Sequence, residues 1–323
     1  MSRSPMISVL LCTAGRSSTI SACVRRILDA PLHLRELIVV DQNQDDEVKA
    51  LLEEFQADPR LRYFHLSQQN KGHALNFGVR IATEDIVAIT DDDCLVAPDW
   101  LREYQKVFQE HPNTAVAFGR VVAAPHEAGM GYIPDSKITR NRRYTSLRAL
   151  NQACGIGANM AVRRSLVLPF GAFDPSLSPG GRFHASEDRD ISIRSVLNGY
   201  EVHELAESTV EHLGFRDWDQ GRLHTHQDWV GIGAMCSKLT RRHGWTSWPL
   251  TMEIVLCKSL LPCVLATLRR ENPKGFVRVT AFVWGFREGW KTKTDPNTLL
   301  FHTHGALTDR EYLAEAHRKA QTL

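Results

Sequence analysis

The sequence predicts an α/β fold: a mostly parallel central sheet flanked by helices, with a helical, basic C-terminal extension. Three observations predict it. Short apolar runs alternate with helical patterns over the first hundred residues. The runs are continuous rather than alternating, which suits parallel strands covered on both faces. After about Ser237 the pattern changes to apolar helices with an excess of Lys and Arg.

The elements follow in order. Met6–Cys12 (MISVLLC) predicts a first strand, and Ser17 and Ser18 can cap a helix running to about Leu28. Glu36–Val40 (ELIVV) is a second strand that ends at Asp41. Asp46–Gln56 reads as helix, Leu61–Leu66 as strand, Gly72–Ala82 as helix and Ile86–Thr90 as strand. Pro98 suits the first turn of the next helix. Thr114–Val122 reads as a strand, Ala123–Leu147 as a mobile loop region, and Gly155–Val162 as a Gly-rich turn entering a strand. Ser186–Asn198 has helical spacing with Gly199 as its stop, and a strand-like Glu207–Val210 precedes His212. His224 and His226 are spaced for one face of a strand.

Composition bounds the class. The chain has 323 residues, 43% hydrophobic and 24% charged, which is ordinary for a globular protein. Seven cysteines without a CxxC pair speak against a disulfide framework or a structural zinc site and for a reducing compartment. The N-terminal apolar run is too short for a signal peptide. The net charge of +2 hides a segregation: Lys238–Lys293 holds eleven Lys/Arg against three Glu, a local +8, leaving −6 elsewhere. Such segregation suggests an anionic partner for the C-terminal part, although a solvated basic face would look the same. Trp248–Leu268 is apolar but carries Glu253, Lys258 and Pro262, so a spanning helix of about 20 apolar residues is not expected. An interfacial segment or a packed helical pair both remain open.

The chemistry-bearing residues sit where predicted strands end. Ligands of parallel sheets bind beyond the carboxyl ends of the strands. Asp41 and Asp91–Asp93 share that rim. Three adjacent carboxylates after a buried strand repel one another unless a cation or strong donors compensate. On an extended segment Asp91 and Asp93 can reach one hard cation, Mn²⁺ or Mg²⁺, which can hold a diphosphate. Asp92, between them, can meet a sugar or ribose hydroxyl. Asn70, Lys71 and Gly72 precede a helix start, where backbone N–H groups and Lys71 suit an anion. Glu187 and Asp188 open another helix. Dipole-favoured N-terminal charge explains them, and so does a general base at Asp188. His212 with two carboxylates is a workable Mn²⁺ set.

The order of the motifs carries more than any one of them. SVLLCTAGR, ELIVVDQNQDD, NKGHALNFGVRIATEDIVAITDDDCLVAPDWL, GIGANMAVRR, ASEDRDISIRSVLNGY and VEH follow one another from about Ile7 to His212. This resembles the family 2 glycosyltransferases, which have the GT-A fold. The resemblance implies inverting transfer of a sugar from a nucleotide-sugar, with Asp41 contacting the base and Asp91 and Asp93 as the D-x-D metal and diphosphate motif. It implies Asp188 as catalytic base and His212 as a further metal or diphosphate contact. Thr13, Ala14 and Arg16 are expected on the nucleotide-sugar with Asn70, Lys71, Gly72 and Asp92, and Gly157, Asn159 and Glu187 on the acceptor side. CTAGR and the Gln-Asn-Gln-Asp-Asp after Asp41 depart from the common family pattern at the base contact. The Q-x-x-R-W motif of processive synthases is absent, which implies addition of one sugar.

The expected organisation is a glycosyltransferase domain over 1–236, with a nucleotide part near 6–122 and an acceptor part near 123–236, followed by an extension over 237–323. The expected partners are a nucleotide-diphosphate sugar, UDP-linked by preference, a saccharide or lipid-linked saccharide acceptor, and an anionic membrane surface, with no nucleic acid. The expected location is cytoplasmic, or peripheral at the cytoplasmic membrane face. Two rivals keep part of the reading. A nucleotidyltransferase of similar fold needs a better phosphate loop than CTAGRSS, and a non-catalytic membrane-associated binding protein predicts that Asp91, Asp93 and Asp188 are dispensable.

Overall fold

A computed structural model describes residues 6–15, 18–30, 32–244, 247–268 and 276–302, with only the backbone described at 262–263 and 266–267. Strand and helix alternate as expected through β1 (Ile7–Thr13), α1 (Ile20–Leu28), β2 (Leu34–Asp41), α2 (Glu47–Leu52), β3 (Leu61–His65), α3 (Lys71–Ile81) and β4 (Ile86–Asp91). Then come β5 (Cys94–Val96), α4 (Trp100–Glu110), β6 (Thr114–Ala123), β7 (Gly131–Tyr132), β8 (Arg142–Tyr144) and α5 (Leu147–Leu150). They are followed by β9 (Asn159–Arg163), α6 (Arg164–Val167), α7 (Glu187–Leu197), β10 (Glu201–His212) and β11 (Arg216–Asp217). The helices α8 (Trp218–His243), α9 (Trp248–Glu253), α10 (Leu261–Leu268) and α11 (Phe276–Lys291) complete the chain, with a π-helical stretch at Ile254–Leu260.

The main sheet has the order β3-β2-β1-β4-β9-β6-β10-β5, with β8 also on β10. Its first four strands are parallel, and so are β6 and β10. β9 lies antiparallel between β4 and β6. The continuous apolar runs have the predicted cause. Val9 and Leu11 of β1 face one core with α1 and α4, while Leu10 faces the other with α3 and α7. Both sides of β1, β2 and β4 are therefore largely dry, and alternation would leave polar atoms buried.

Three pairings build the rim. β1 and β4 end together at Thr13 and Asp91. Because β9 is antiparallel, its start pairs with the end of β4 (Thr90 with Asn159), which brings the 155–158 turn to the same rim. β5 folds back on β10 with Cys94 opposite His212, so the aspartate turn lies against the imidazole.

Several expectations change. Thr19, not Ser18, is the N-cap of α1, Ser17 lying outside the described residues, and the Thr19 hydroxyl donates instead to the Asp92 carbonyl at 2.7 Å. Pro98 precedes α4, whose N-cap is Asp99. The 123–147 segment contains β7 and β8, and β7 pairs with β11. His224 and His226 lie on α8, because a long helix, capped by Asp217 with Gln220, starts ahead of them. The expected boundary at 236/237 falls inside that same unbroken helix.

α8 and α11 cross closely. A Cβ on Gly233 would overlap the Phe282 carbonyl, and one on Gly285 the Val230 carbonyl. Small residues there let backbones meet.

Candidate active site

The rim encloses a cleft of about 450 Å³ lined by Lys71, Asp91, Gly157, Glu187, Asp188 and His212, among others. Residues that lie far apart in sequence converge in it.

Asp188 lies in the first turn of α7, entered through strained backbone. His184 and Ser186 have φ of 66° and 89°, the left-handed region that costs non-glycine residues free energy. Gly231 of α8 packs on this entry, where a Cβ would overlap the Ala185 carbonyl. The Asp188 carboxylate accepts from the Gly157 N–H at 2.9 Å and the Arg189 N–H at 2.6 Å. It is thus aimed by backbone and still lines the cleft.

Glu187 is its opposite. Burial, and then the Asp188 charge, push its carboxyl up to about 8, while Lys71 pulls the other way. Two neighbouring carboxyls thus sit in different environments, one desolvated and the other held by backbone N–H groups, the pattern of acid–base sites. Lys71 donates from Nζ to Asp91 Oδ1 at 2.5 Å. Burial alone would lower its value, but the charge of the paired Asp91 carboxylate outweighs this and raises it. It is a fixed cation.

The acidic triplet divides its labour. Asp91 pairs with Lys71. Asp92 turns inward and accepts from the Thr13 hydroxyl at 2.6 Å. Asp93 Oδ1 lies 3.2 Å from His212 Nε2, both groups almost wholly buried. Among the described residues, one group of three ligand atoms at the rim is Asp93, Cys94 and His212. Asp91 is not in it, because its carboxylate is turned to Lys71; Cys94 joins through the β5–β10 pairing.

This donor set fits a divalent cation. His212 Nδ1 sits 3.1 Å from the Pro134 carbonyl, which can only accept, so Nδ1 carries a proton. In the neutral ring, Nε2 then aims a lone pair at the Asp93 carboxylate. Two electron-pair donors face to face require a proton or a metal between them. Gly214 keeps the place open, since a Cβ there would overlap Asp93 Oδ2. Burial, and then Asp91 and Asp93, push the Cys94 thiol well up, so oxygen and nitrogen are the stronger donors.

Other expected site residues serve the frame. Asp41 has no exposed surface, and its oxygens accept from Asn43 N–H (2.9 Å), Asn43 Nδ2 (2.8 Å) and the Tyr63 hydroxyl (2.7 Å). It shapes the 42–43 turn, and the Asn43 side chain in turn accepts from the Gly15 N–H. Ala14 is exposed beside it, and Arg16 lies outside the described residues. Asn70 caps α3 by accepting from the His73 N–H, while the Lys71 N–H is taken by the Pro179 carbonyl. Two of the expected anion-binding N–H groups are therefore used internally. Gly72 exists for packing, as a Cβ there would lie 2.5 Å from Ser178 Oγ. Asn159 does not reach the cleft: fully buried, it accepts from Trp100 Nε1 and Tyr104 OH (2.7 Å each) and donates to the Arg120 and Ser208 carbonyls. A buried amide with every capacity filled holds strands, not substrate.

Sequence reasoning missed Arg189, Arg216, His184 and Asp228, which all line the cleft. Arg189 follows a motif already noted, the ED pair, and Asp228 lies two residues after His226. Arg216 and His184 carry no spacing signal, because the β11–β7 pairing and the strained turn bring them in.

A family model described as "Glycosyl transferase family 2" matches residues 8–168, the stretch that builds β1 to α6 and the aspartate rim. The chain belongs to the family 2 glycosyltransferases. This family 2 glycosyltransferase is 23% identical over 196 residues to the glucosyl-dolichyl phosphate glucuronosyltransferase of Haloferax volcanii (58% of this chain, 62% of that protein). It is 22% identical over 291 residues to the beta-monoglucosyldiacylglycerol synthase of Trichormus variabilis (83% and 60%). It thus spans about three fifths of the length of these relatives. Among solved structures, a mannosyltransferase from Pyrobaculum calidifontis, in complex with GDP-Man and Mn²⁺, superposes with a TM-score of 0.61 at 17% identity (90% and 89% covered). S. aureus TarS 1-349 in complex with UDP-GlcNAc does so with 0.52 at 14% (72% and 66%). These likenesses show the GT-A fold, including the helical C-terminal part.

Proposed function

We propose that this glycosyltransferase moves one sugar from a nucleoside-diphosphate sugar to an acceptor hydroxyl, with inversion at the anomeric carbon. One observation carries the reading. A backbone-aimed carboxylate, Asp188, shares a single cleft with a cationic rim of Lys71, Arg189 and Arg216 and with the Asp93–His212 pair.

The residues divide the work as follows. Lys71, Arg189 and Arg216 offset the charge of a diphosphate. Asp93 and His212 would hold a divalent cation, which neutralises charge developing on the leaving diphosphate. The imidazole in the set favours Mn²⁺ over Mg²⁺. Asp188 accepts the proton of the acceptor hydroxyl as that oxygen attacks the anomeric carbon from the face opposite the leaving group. Glu187, neutral at pH 7, adds no second negative charge beside it.

Calorimetric titration of UDP, GDP and dTDP with and without Mn²⁺ tests this. One nucleotide should bind only with metal, and Asp93→Ala should abolish it. Metal-independent binding of equal strength in Asp93→Ala would refute the assigned metal site. No binding of any nucleoside diphosphate would refute the donor reading.

A lipid-linked acceptor at a membrane surface is the second element of the proposal. No helix among the described residues is long and apolar enough to cross a membrane. Yet Leu256, Leu261, Leu265, Phe276, Val283 and Trp284 expose their side chains on the C-terminal helices, in the segment with the +8 excess. Apolar exposure beside Lys and Arg suits shallow insertion into anionic lipid, at roughly 1 kcal/mol per basic residue near the surface. Sedimentation with anionic liposomes at low salt should carry the protein down. Protein left in the supernatant would remove this element.

A further inference from the structure

β10 carries a second constellation at its opposite end. Glu201 and His203 are two apart on the strand, so both side chains leave one face. His111 follows the end of α4 in the turn to β6, and its ring lies against His203 with centroids 4.8 Å apart and planes tilted by 38°. His203 Nε2 lies 3.1 Å from Glu201 Oε2. One ligand atom from each of the three residues lies within 4.8 Å of the other two. His203 and Glu201 are buried (5% and 7% exposed), and His111 is half-buried.

The distances match a known geometry. Four ligands at about 2.0–2.1 Å around a tetrahedral Zn²⁺ stand roughly 3.3 Å apart, close to the His203–Glu201 separation. The His111 ligand atom lies within 4.8 Å of the other two. The second Glu201 oxygen accepts from Arg143 at 2.5 Å, an outer partner that orients the carboxylate as such partners do around metals. A cavity of about 320 Å³ adjoins the cluster, lined by His111 and His203 together with Glu103 and Glu110. It leaves room for a fourth ligand, water or a carboxylate.

We infer that His111, Glu201 and His203 form a binding site for a borderline divalent transition metal, Zn²⁺ by preference, separate from the cleft. Two imidazoles and one carboxylate exclude Mg²⁺ and Ca²⁺, which take oxygen ligands. The site lies roughly 30 Å along β10 from His212, at the N-terminal edge of the sheet. Chemistry in parallel sheets takes place at the other edge. The metal therefore clamps the α4–β6 turn to β10 and stabilises the fold; it takes no part in sugar transfer.

The test separates the two sites. The full chain carrying Asp93→Ala and His212→Ala is dialysed against Zn²⁺ and its bound metal counted. One equivalent should remain, and adding His111→Gln or His203→Ala should remove it. Zn²⁺ at about 100 Kd should raise Tm by roughly 4 °C in the background variant and not in the His111→Gln variant. His111→Gln alters a half-exposed turn residue, so its fold can be verified by circular dichroism even if His203→Ala misfolds. Absence of bound Zn²⁺ in the background variant, or its retention in folded His111→Gln, would overturn the site.

Discussion

Lys238→Met is expected to destabilise the protein by about 4 kcal/mol at pH 7 and much less at pH 5. Lys238, Asp174, Asp190 and Arg194 have no exposed side-chain surface. The ammonium lies 2.7 Å from Asp174 and 2.7 Å from Asp190, and Arg194 Nε donates to Asp190 at 2.8 Å. Two acids and two bases thus cancel. Met keeps most of the packed volume, so a cavity adds little. Asp190 keeps Arg194, but Asp174 keeps only the N–H groups of Ser176 and Phe301, each at 3.0 Å. Removing one partner of a buried pair costs about 3–5 kcal/mol. Asp174 has one escape, which is to bind a proton. From an ordinary carboxyl value of ~3.9 this costs about 4 kcal/mol at pH 7 and about 1.5 kcal/mol at pH 5. That sets the ceiling on the loss and its sign: in the variant the folded state binds the extra proton, so stability falls as pH rises. Urea unfolding at both pH values measures it, and Asp174→Asn added to Lys238→Met should restore most of the loss. A loss below about 1 kcal/mol at pH 7, or one independent of pH, would refute the reasoning.

Two further outcomes follow from the cleft. Asp188→Asn should lower kcat by roughly 10²–10⁴-fold while leaving nucleotide affinity within about twofold, because the amide oxygen can still accept from Gly157; a variant with more than a tenth of the wild-type rate would move the base elsewhere. The Glu187 carboxyl is raised to about 8 from 4.5, so the folded state holds a proton the unfolded chain releases. Its contribution is full below about pH 4.5 and is lost as pH rises through 8. Thermal melts should therefore show Tm falling across that window in wild type and falling less in Glu187→Gln; parallel profiles would show that burial does not hold this proton.

Much of the catalytic frame was legible in one dimension. Continuous apolar runs dictate buried strands, because a pleated strand with dry sides accepts a polar residue only where it is hydrogen-bonded, as Ser8 and Glu36 are. The carboxylates at the ends of two of those runs then had to share a rim, and the E-D pair had to open a helix. Aspartate roles were less legible. Three identical residues in a row are equivalent in sequence, yet Asp91 meets Lys71, Asp92 turns to Thr13 and Asp93 meets His212. The framing contacts of Asp41 and Asn159 are likewise invisible in sequence, since a buried polar group and a ligand contact use the same atoms.

Sequence by itself determined the strand–helix order, the aspartate rim and the basic, apolar character of the C-terminal helices, all of which depend on local composition and short spacing. Tertiary structure alone decided which donors face one another. Cys94 reaches His212 through an antiparallel pairing, Arg216 arrives on β11 and Asp228 on α8, and His111 meets His203 across 92 residues. The physical reason is reach. A side chain interacts over a few ångströms, whereas the packing that sets those few ångströms is the summed choice of the whole core.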